Sequence, residues 1–280
     1  LNEELLMELA DCGSPERLLA VIFQHHPQWT PPIQVEEFAL SVGIIEFRDL
    51  EVDGFVGALM TNLEKTMGVI LAAKGMGRRR RRFTIGHELG HYLIPAHRGD
   101  KNCTSADLAE TRRDTLHRQE EAQANRFSAG LLMPKPSFKA QLETMGTPEV
   151  SHIGQLAEKY DVSREAVANR YVELTAEMCA VVFTKDGRIR YGRASKDFPA
   201  LSVRPGDATP SPIPRRSLGP VPASDWLKPV WGSRPPTLLA HQLDQSNGHG
   251  TVLLHIDTHN FEADEEEAEL IESYTPRFRR

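Results

Sequence analysis

Cysteine is scarce in this chain, with three in 280 residues, at Cys12, Cys103 and Cys179. They are far apart and odd in number, which excludes a readable disulfide framework or CxxC zinc knuckle and favours a reducing compartment. No apolar run approaches the roughly 18 to 20 residues of a membrane span. The acidic, amphipathic N-terminal segment also lacks the charged-then-apolar layout of a secretory signal. No membrane role is expected, and the expected location is the cytoplasm. A large excess of charge is missing too: the formal net charge is -6, so any contact with nucleic acid needs a local patch. What remains is an ordinary soluble composition, 40% hydrophobic and 26% charged. The length suffices for two modest domains or one elaborated one, each burying its own core.

Apolar residues from Asn2 to Phe23 recur at helical spacing and are interrupted at Gly13-Ser14-Pro15, which predicts two short helices. A helix is expected over Val35 to Leu40. Strands follow at Gly43 to Phe47, Phe55 to Met60 and Gly68 to Ala72, where β-branched residues and alternation dominate. Helices are expected over Phe83 to Ile94, Arg118 to Leu132 and Pro136 to Leu142, with prolines as breakers. Ile153 to Tyr160 and Ser163 to Leu174 form a helix-turn-helix-like pair, the second helix capped by Ser163. Beyond about residue 176 the character changes. A hairpin turns at Lys185-Asp186-Gly187, ten of the 19 prolines lie between Pro199 and Pro236, a strand covers Thr251 to Ile256, and an acidic tail runs from Glu262 to Glu269. The expected fold class is α+β. Its parts are a zincin-like domain with a small sheet and a long helix over 1–150, a helix-turn-helix-like segment over 151–176, and a β-rich, proline-rich domain over 177–280.

The chemistry concentrates in His87-Glu88-Leu89-Gly90-His91. Residues spaced i, i+4 share one face of a helix, so His87 and His91 can bind one cation, with Glu88 beside them. Two neutral imidazoles and one more ligand leave a coordination position open, where a bound water has its pKa lowered toward about 7. Glu88 is then the general base, taking a proton from that water and passing it to the leaving amine. A helix that turns two histidines toward a core needs a reason, and a metal is one, because buried imidazoles without partners are costly. Gly90 leaves room for a second backbone to approach.

The third ligand has two candidates. His97 lies six residues after His91, the metzincin separation, but Ile94 stands where that pattern needs a chain-turning glycine. Glu121 lies on a separate helix among small alanines, and a carboxylate from a second helix is gluzincin logic. Glu121 is favoured, and Asn125, at i+4 from it, is placed to brace a ligand from behind. Zinc is the default for two histidines and a carboxylate, and Mn²⁺ would also fit an expanded site.

The run Phe83-Thr84-Ile85-Gly86-His87-Glu88-Leu89-Gly90-His91, then Glu121-x-x-Ala124-Asn125-x-Phe127 and Leu131-Leu132-Met133-Pro134, resembles the ImmA/IrrE metallopeptidases. Asp53-Gly54-Phe55-Val56-Gly57-Ala58-Leu59 looks like the strand before that family's catalytic helix, so the resemblance spans about residues 35 to 175. It implies a gluzincin-like fold with His87, His91 and Glu121 as metal ligands and Glu88 as catalytic base. Known members cleave helix-turn-helix repressors, and others accompany toxin–antitoxin loci. The implied partner is therefore a repressor or antitoxin. The last hundred residues carry no motif of the family.

Other features have competing readings. Arg78 to Arg82 form a solvated helix entry or a basic patch steering an acidic partner. The helix pair offers Arg164, Asn169 and Arg170, yet packing is preferred to DNA reading. His97, Cys103 and His117 are loop residues or a second metal site, and one of His97, His117 or Tyr92 is a candidate donor to an oxyanion. The strand from Gly57 to Met60 is expected to offer an edge to an extended substrate. His255 and His259 read as surface groups.

Overall fold

The computed structural model describes residues 3–97, 101–104, 115–229 and 235–256. The acidic tail and His259 lie outside them, as does the side chain of Cys103. The chain divides into two compact units, Leu1–Phe138 with Gln155–Val167, and Lys139–Gly154 with Ala168–Arg280. The helix-turn-helix-like segment is thus shared between the two. The fold is mixed α+β, and no helix among the described residues is long and apolar enough to cross a membrane.

In the first unit, α1 (Glu3–Ala10) and α2 (Pro15–His25) are separated by Ser14, whose hydroxyl accepts a hydrogen bond from the Arg17 amide while Pro15 opens the second helix. This is the expected cap chemistry. After α3 (Val35–Ser41) come β1 (Ile44–Leu50), β2 (Phe55–Thr61) and β3 (Gly68–Ala73), then α4 (Arg78–Leu93). A short strand, β4 (Lys101–Thr104), completes a sheet of order β1-β3-β2-β4, in which β1 and β3 run parallel and the other pairs are antiparallel. The strand β4 was not legible in the sequence. Its presence corrects one expectation: β2 is paired on both sides over Gly57 to Leu59, so this stretch is no open edge.

Helix α4 packs on β2 and β3 and crosses α5 (Leu116–Leu132). Thr115 caps α5 by accepting from the Arg118 amide. The crossing is close because small residues line it. A Cβ on Gly90 would stand 3.1 Å from the Ala124 Cα, and one on Gly86 would stand 2.6 Å from the Ser128 hydroxyl. That hydroxyl donates to the Phe83 carbonyl at 2.8 Å, tying the two helices together.

The arginine run is in part a solvated helix entry, with Arg78 and Arg80 exposed, and in part tied to carboxylates. Arg78, Arg79 and Arg82 converge on the Asp161 carboxylate, Arg79 also meets Glu158, and Arg81 meets Glu36 and Asp49. Arg82 is buried and donates to the carbonyls of Ile33 and Asp161. Its aliphatic stem and fork therefore serve packing and backbone satisfaction, as an arginine with several fixed acceptors can.

The remaining helices are α6 (Lys135–Met145), α7 (Val150–Tyr160) and α8 (Arg164–Leu174). Ser163 caps α8, its hydroxyl accepting from the Ala166 amide. In the second unit, β5 (Cys179–Lys185) and β6 (Arg188–Ala194) form the expected hairpin, with Asp186 and Gly187 both at positive φ as an Asp-Gly turn requires. With β7 (Gly219–Val221), β8 (Leu238–Asp244) and β9 (His249–Ile256) they make an antiparallel sheet of order β6-β5-β9-β8-β7. One of its faces buries Trp226, Phe198 and Leu227 against Ala180, Val182 and Leu254. His255 is not a surface group: it is buried within β9, and its Nε2 lies 3.3 Å from Glu177.

Candidate metal centre

His87 and His91 come from consecutive turns of α4, and Glu121 comes from the second turn of α5, three residues before the Ala124 that packs on Gly90. All three side chains are buried. His87 Nε2 lies 3.1 Å from Glu121 Oε2 and 3.1 Å from His91 Nε2, and His91 Nε2 lies 3.3 Å from Glu121 Oε1. Among the described residues this is the one group of three or more ligating side chains whose donor atoms approach within 4.8 Å of one another. The separations match the edge of a tetrahedron of ligands about 2.0–2.1 Å from a zinc ion, which is roughly 3.3 Å. Two buried imidazoles and a carboxylate also form a donor set typical of zinc. The residues present therefore fit a metal ion.

Electrostatics point the same way. Burial drives the His91 imidazole down to about 3, so it is neutral and has a lone pair to offer. Burial pushes the Glu121 carboxyl up, but the neighbouring His87 and His91 rings prevail and hold it well below the usual carboxylate range. At His87 burial acts downward, and the Glu121 hydrogen bond with the Glu88 and Glu121 charges raises the ring above its ordinary value. The pocket thus favours positive charge at its centre, carried by a proton on His87 or by a cation.

The other candidates separate cleanly. Asn125 Oδ1 lies 2.9 Å from His87 Nδ1, on the ring edge away from the cluster, as a bracing residue would. His97 is fully buried but stands behind His91, its Nδ1 3.0 Å from His91 Nδ1 and its Nε2 2.7 Å from Gln123 Oε1. The cluster's third member is Glu121, and His97 is not brought into it. Tyr92 packs its ring beside Gly68 and its hydroxyl against Gly43, away from the histidine pair. His117 is 61% exposed, with Nδ1 3.7 Å from Glu121 Oε1, at the rim of the site. Glu88 is fully buried and faces β2, where a Cβ on Gly57 would come within 2.6 Å of its Oε1.

Two residues escaped the sequence reading. Gln123 is one. The other is Lys65, in the left-handed conformation between β2 and β3, whose Nζ donates to the carbonyls of His91, Ile94 and His97 at 2.7, 3.0 and 2.8 Å. A cation there satisfies the open carbonyls at the end of α4 and complements the helix dipole. Nothing in the local pattern marks a lysine 26 residues upstream of His91 as its helix's cap.

No curated protein sequence matches this chain. A solved structure described as a Mycobacterium tuberculosis transcriptional regulator is similar in fold, with a TM-score of 0.56 and 17% identity, covering 93% of this chain and 82% of that one. At that identity the likeness concerns fold alone. Residues 44–171, which include α4 and α5, match the model of the Peptidase_M78 family, described as an IrrE N-terminal-like domain. That matched segment is the one in which the motifs resembling the ImmA/IrrE metallopeptidases lie.

Proposed function

We propose that this protein is a metal-dependent, gluzincin-like endopeptidase that makes a regulated cut in a protein partner, a helix-turn-helix repressor or an antitoxin. The observation that carries the reading is the convergence of His87, His91 and Glu121 within 3.1 to 3.3 Å in a buried pocket that also contains Glu88. The three side chains would hold the ion, zinc by default or Mn²⁺. When bound, that ion supplies Lewis acidity to a substrate carbonyl and acidifies a water molecule. Glu88 takes a proton from the attacking water and delivers it to the departing amine. Asn125 orients His87. His117, at the rim, donates to the carbonyl oxygen as charge develops there.

The family match supports a peptidase, and the similar solved structure, described as a transcriptional regulator, favours a regulatory setting. The alternative is a non-enzymatic regulator that binds DNA or an antitoxin and holds a structural metal. Against its DNA-reading form, Arg170 on α8 is buried and held by both Glu173 oxygens at 3.0 and 2.9 Å. A side chain committed in this way is not available to base edges.

The test measures metal per chain and cleavage of a candidate repressor by intact mass, for the parent, Glu88→Gln, Glu121→Ala and His117→Ala. The expected result is one zinc per parent chain, lost with Glu121→Ala. Glu88→Gln should keep the metal with cleavage lowered on the order of 100-fold or more, and His117→Ala should lower kcat with the metal retained. A parent chain that takes up neither zinc nor manganese sinks the proposal, and so does cleavage indifferent to Glu88→Gln.

A further inference from the structure

His97 and Gln123 are placed as a unit behind the candidate metal centre. His97 is buried at the end of the loop leaving α4, where its backbone amide donates to the Ile94 carbonyl at 3.1 Å and its own carbonyl accepts from Lys65 Nζ. The ring is therefore fixed at its root. Its two nitrogens meet different groups: Nε2 faces Gln123 Oε1 at 2.7 Å, and Nδ1 faces His91 Nδ1 at 3.0 Å.

Proton placement follows from which atoms can donate. An amide oxygen only accepts, so His97 carries its hydrogen on Nε2. A neutral imidazole has one N–H, which leaves His97 Nδ1 as an acceptor. The contact at 3.0 Å then requires His91 to donate from Nδ1, which leaves His91 Nε2 bare. That bare nitrogen is the one facing Glu121 and His87. The opposite tautomer of His91 would direct an N–H into the cluster and a lone pair toward the lone pair of His97. Hydrogen bonds to the far nitrogen of a ligand histidine set its tautomer and orientation in this way.

We propose that His97 and Gln123 form a relay that holds His91 in the Nδ1–H tautomer, so that His91 Nε2 is presented to a divalent cation. His97 is thus a positioning residue acting through His91, and Gln123 sets the direction of the relay. The relay does for His91 what Asn125 does for His87. This inference rests on the reading of His87, His91 and Glu121 as a metal site, but the proton positions can be read without any metal.

Two measurements on the whole chain test it. In the metal-free parent, long-range proton–nitrogen correlation spectra of the imidazoles should show His91 protonated on Nδ1 and His97 on Nε2. In Gln123→Met, which keeps the volume and removes the oxygen, the His91 nitrogens should move toward a mixture of tautomers. Zinc affinity from chelator competition should then fall by about 10- to 100-fold. Finding His91 protonated on Nε2 in the metal-free parent overturns the relay, as does a Gln123→Met protein with parental zinc affinity and unchanged nitrogen shifts. If the parent binds no zinc, the metal-site reading fails separately, and the parent's spectrum still decides the proton positions.

Discussion

Gly57 on β2 lies against Glu88 on α4 so closely that a Cβ at residue 57 would stand 2.6 Å from the Glu88 carboxylate and 2.6 Å from the Thr84 methyl. The strand therefore forms one wall of the pocket in which the proposed base sits. A methyl group there must displace either the carboxylate or the strand. Gly57→Ala is expected to lower kcat on the order of 100-fold, the cost of misplacing a reacting group by about 1 Å, while the metal content stays at the parent value. Parallel assays of kcat and bound metal decide it, and an unchanged kcat would show that Glu88 is not held by this wall.

Gly90 governs a different distance. A Cβ at that position would stand 3.1 Å from the Ala124 Cα and 3.2 Å from the Phe127 ring, so a branched side chain must push α5 away from α4. Because Glu121 rides on α5, Gly90→Val should weaken metal binding and cost about 1–3 kcal/mol of stability through overpacking. Denaturant unfolding of the metal-free protein, read beside chelator competition, separates the two effects. Parental zinc affinity would mean the crossing does not set the site.

Lys65 ties the β2–β3 turn to the end of the helix that carries both histidines. Lys65→Met keeps the aliphatic stem and removes three charge-assisted hydrogen bonds to backbone carbonyls. The expected loss is about 2–3 kcal/mol, with faster amide exchange at His97 and Ile94, whose carbonyls it releases. A variant as stable as the parent would show that water replaces the ammonium without cost.

In the second unit, burial pushes the Cys179 thiol up to about 12. The folded chain therefore holds this proton to higher pH than the unfolded chain, so the thiol's contribution to stability is present below about pH 8.5. It is lost as the pH rises from there toward the folded value. Iodoacetamide at pH 8 should leave Cys179 intact in the folded protein and modify it once denaturant is added. Peptide mapping reads this directly, and rapid labelling of the native chain would contradict the burial.

The sequence determined the local elements and the candidate donors. An i, i+4 pair of histidines on a helical run admits only one shared face, and Gly90 and Ala124 announce a close helix crossing because nothing larger fits between two backbones. The break at Gly13-Ser14-Pro15, the Ser163 cap and the Asp186-Gly187 turn are signals that act over three or four residues, and each was met where it was read. The tertiary structure decided what depends on distant partners. The destination of His97, the cap supplied by Lys65, the strand β4 beside β2 and the burial of Arg82 all join segments far apart in the chain. For such contacts spacing carries no information. His97 stands six residues from His91 and was the less favoured of two candidate ligands, with Ile94 where the metzincin pattern needs glycine. It became a support because Pro95 ends the helix and Lys65 draws the following carbonyls back beneath it, leaving the imidazole behind the metal face.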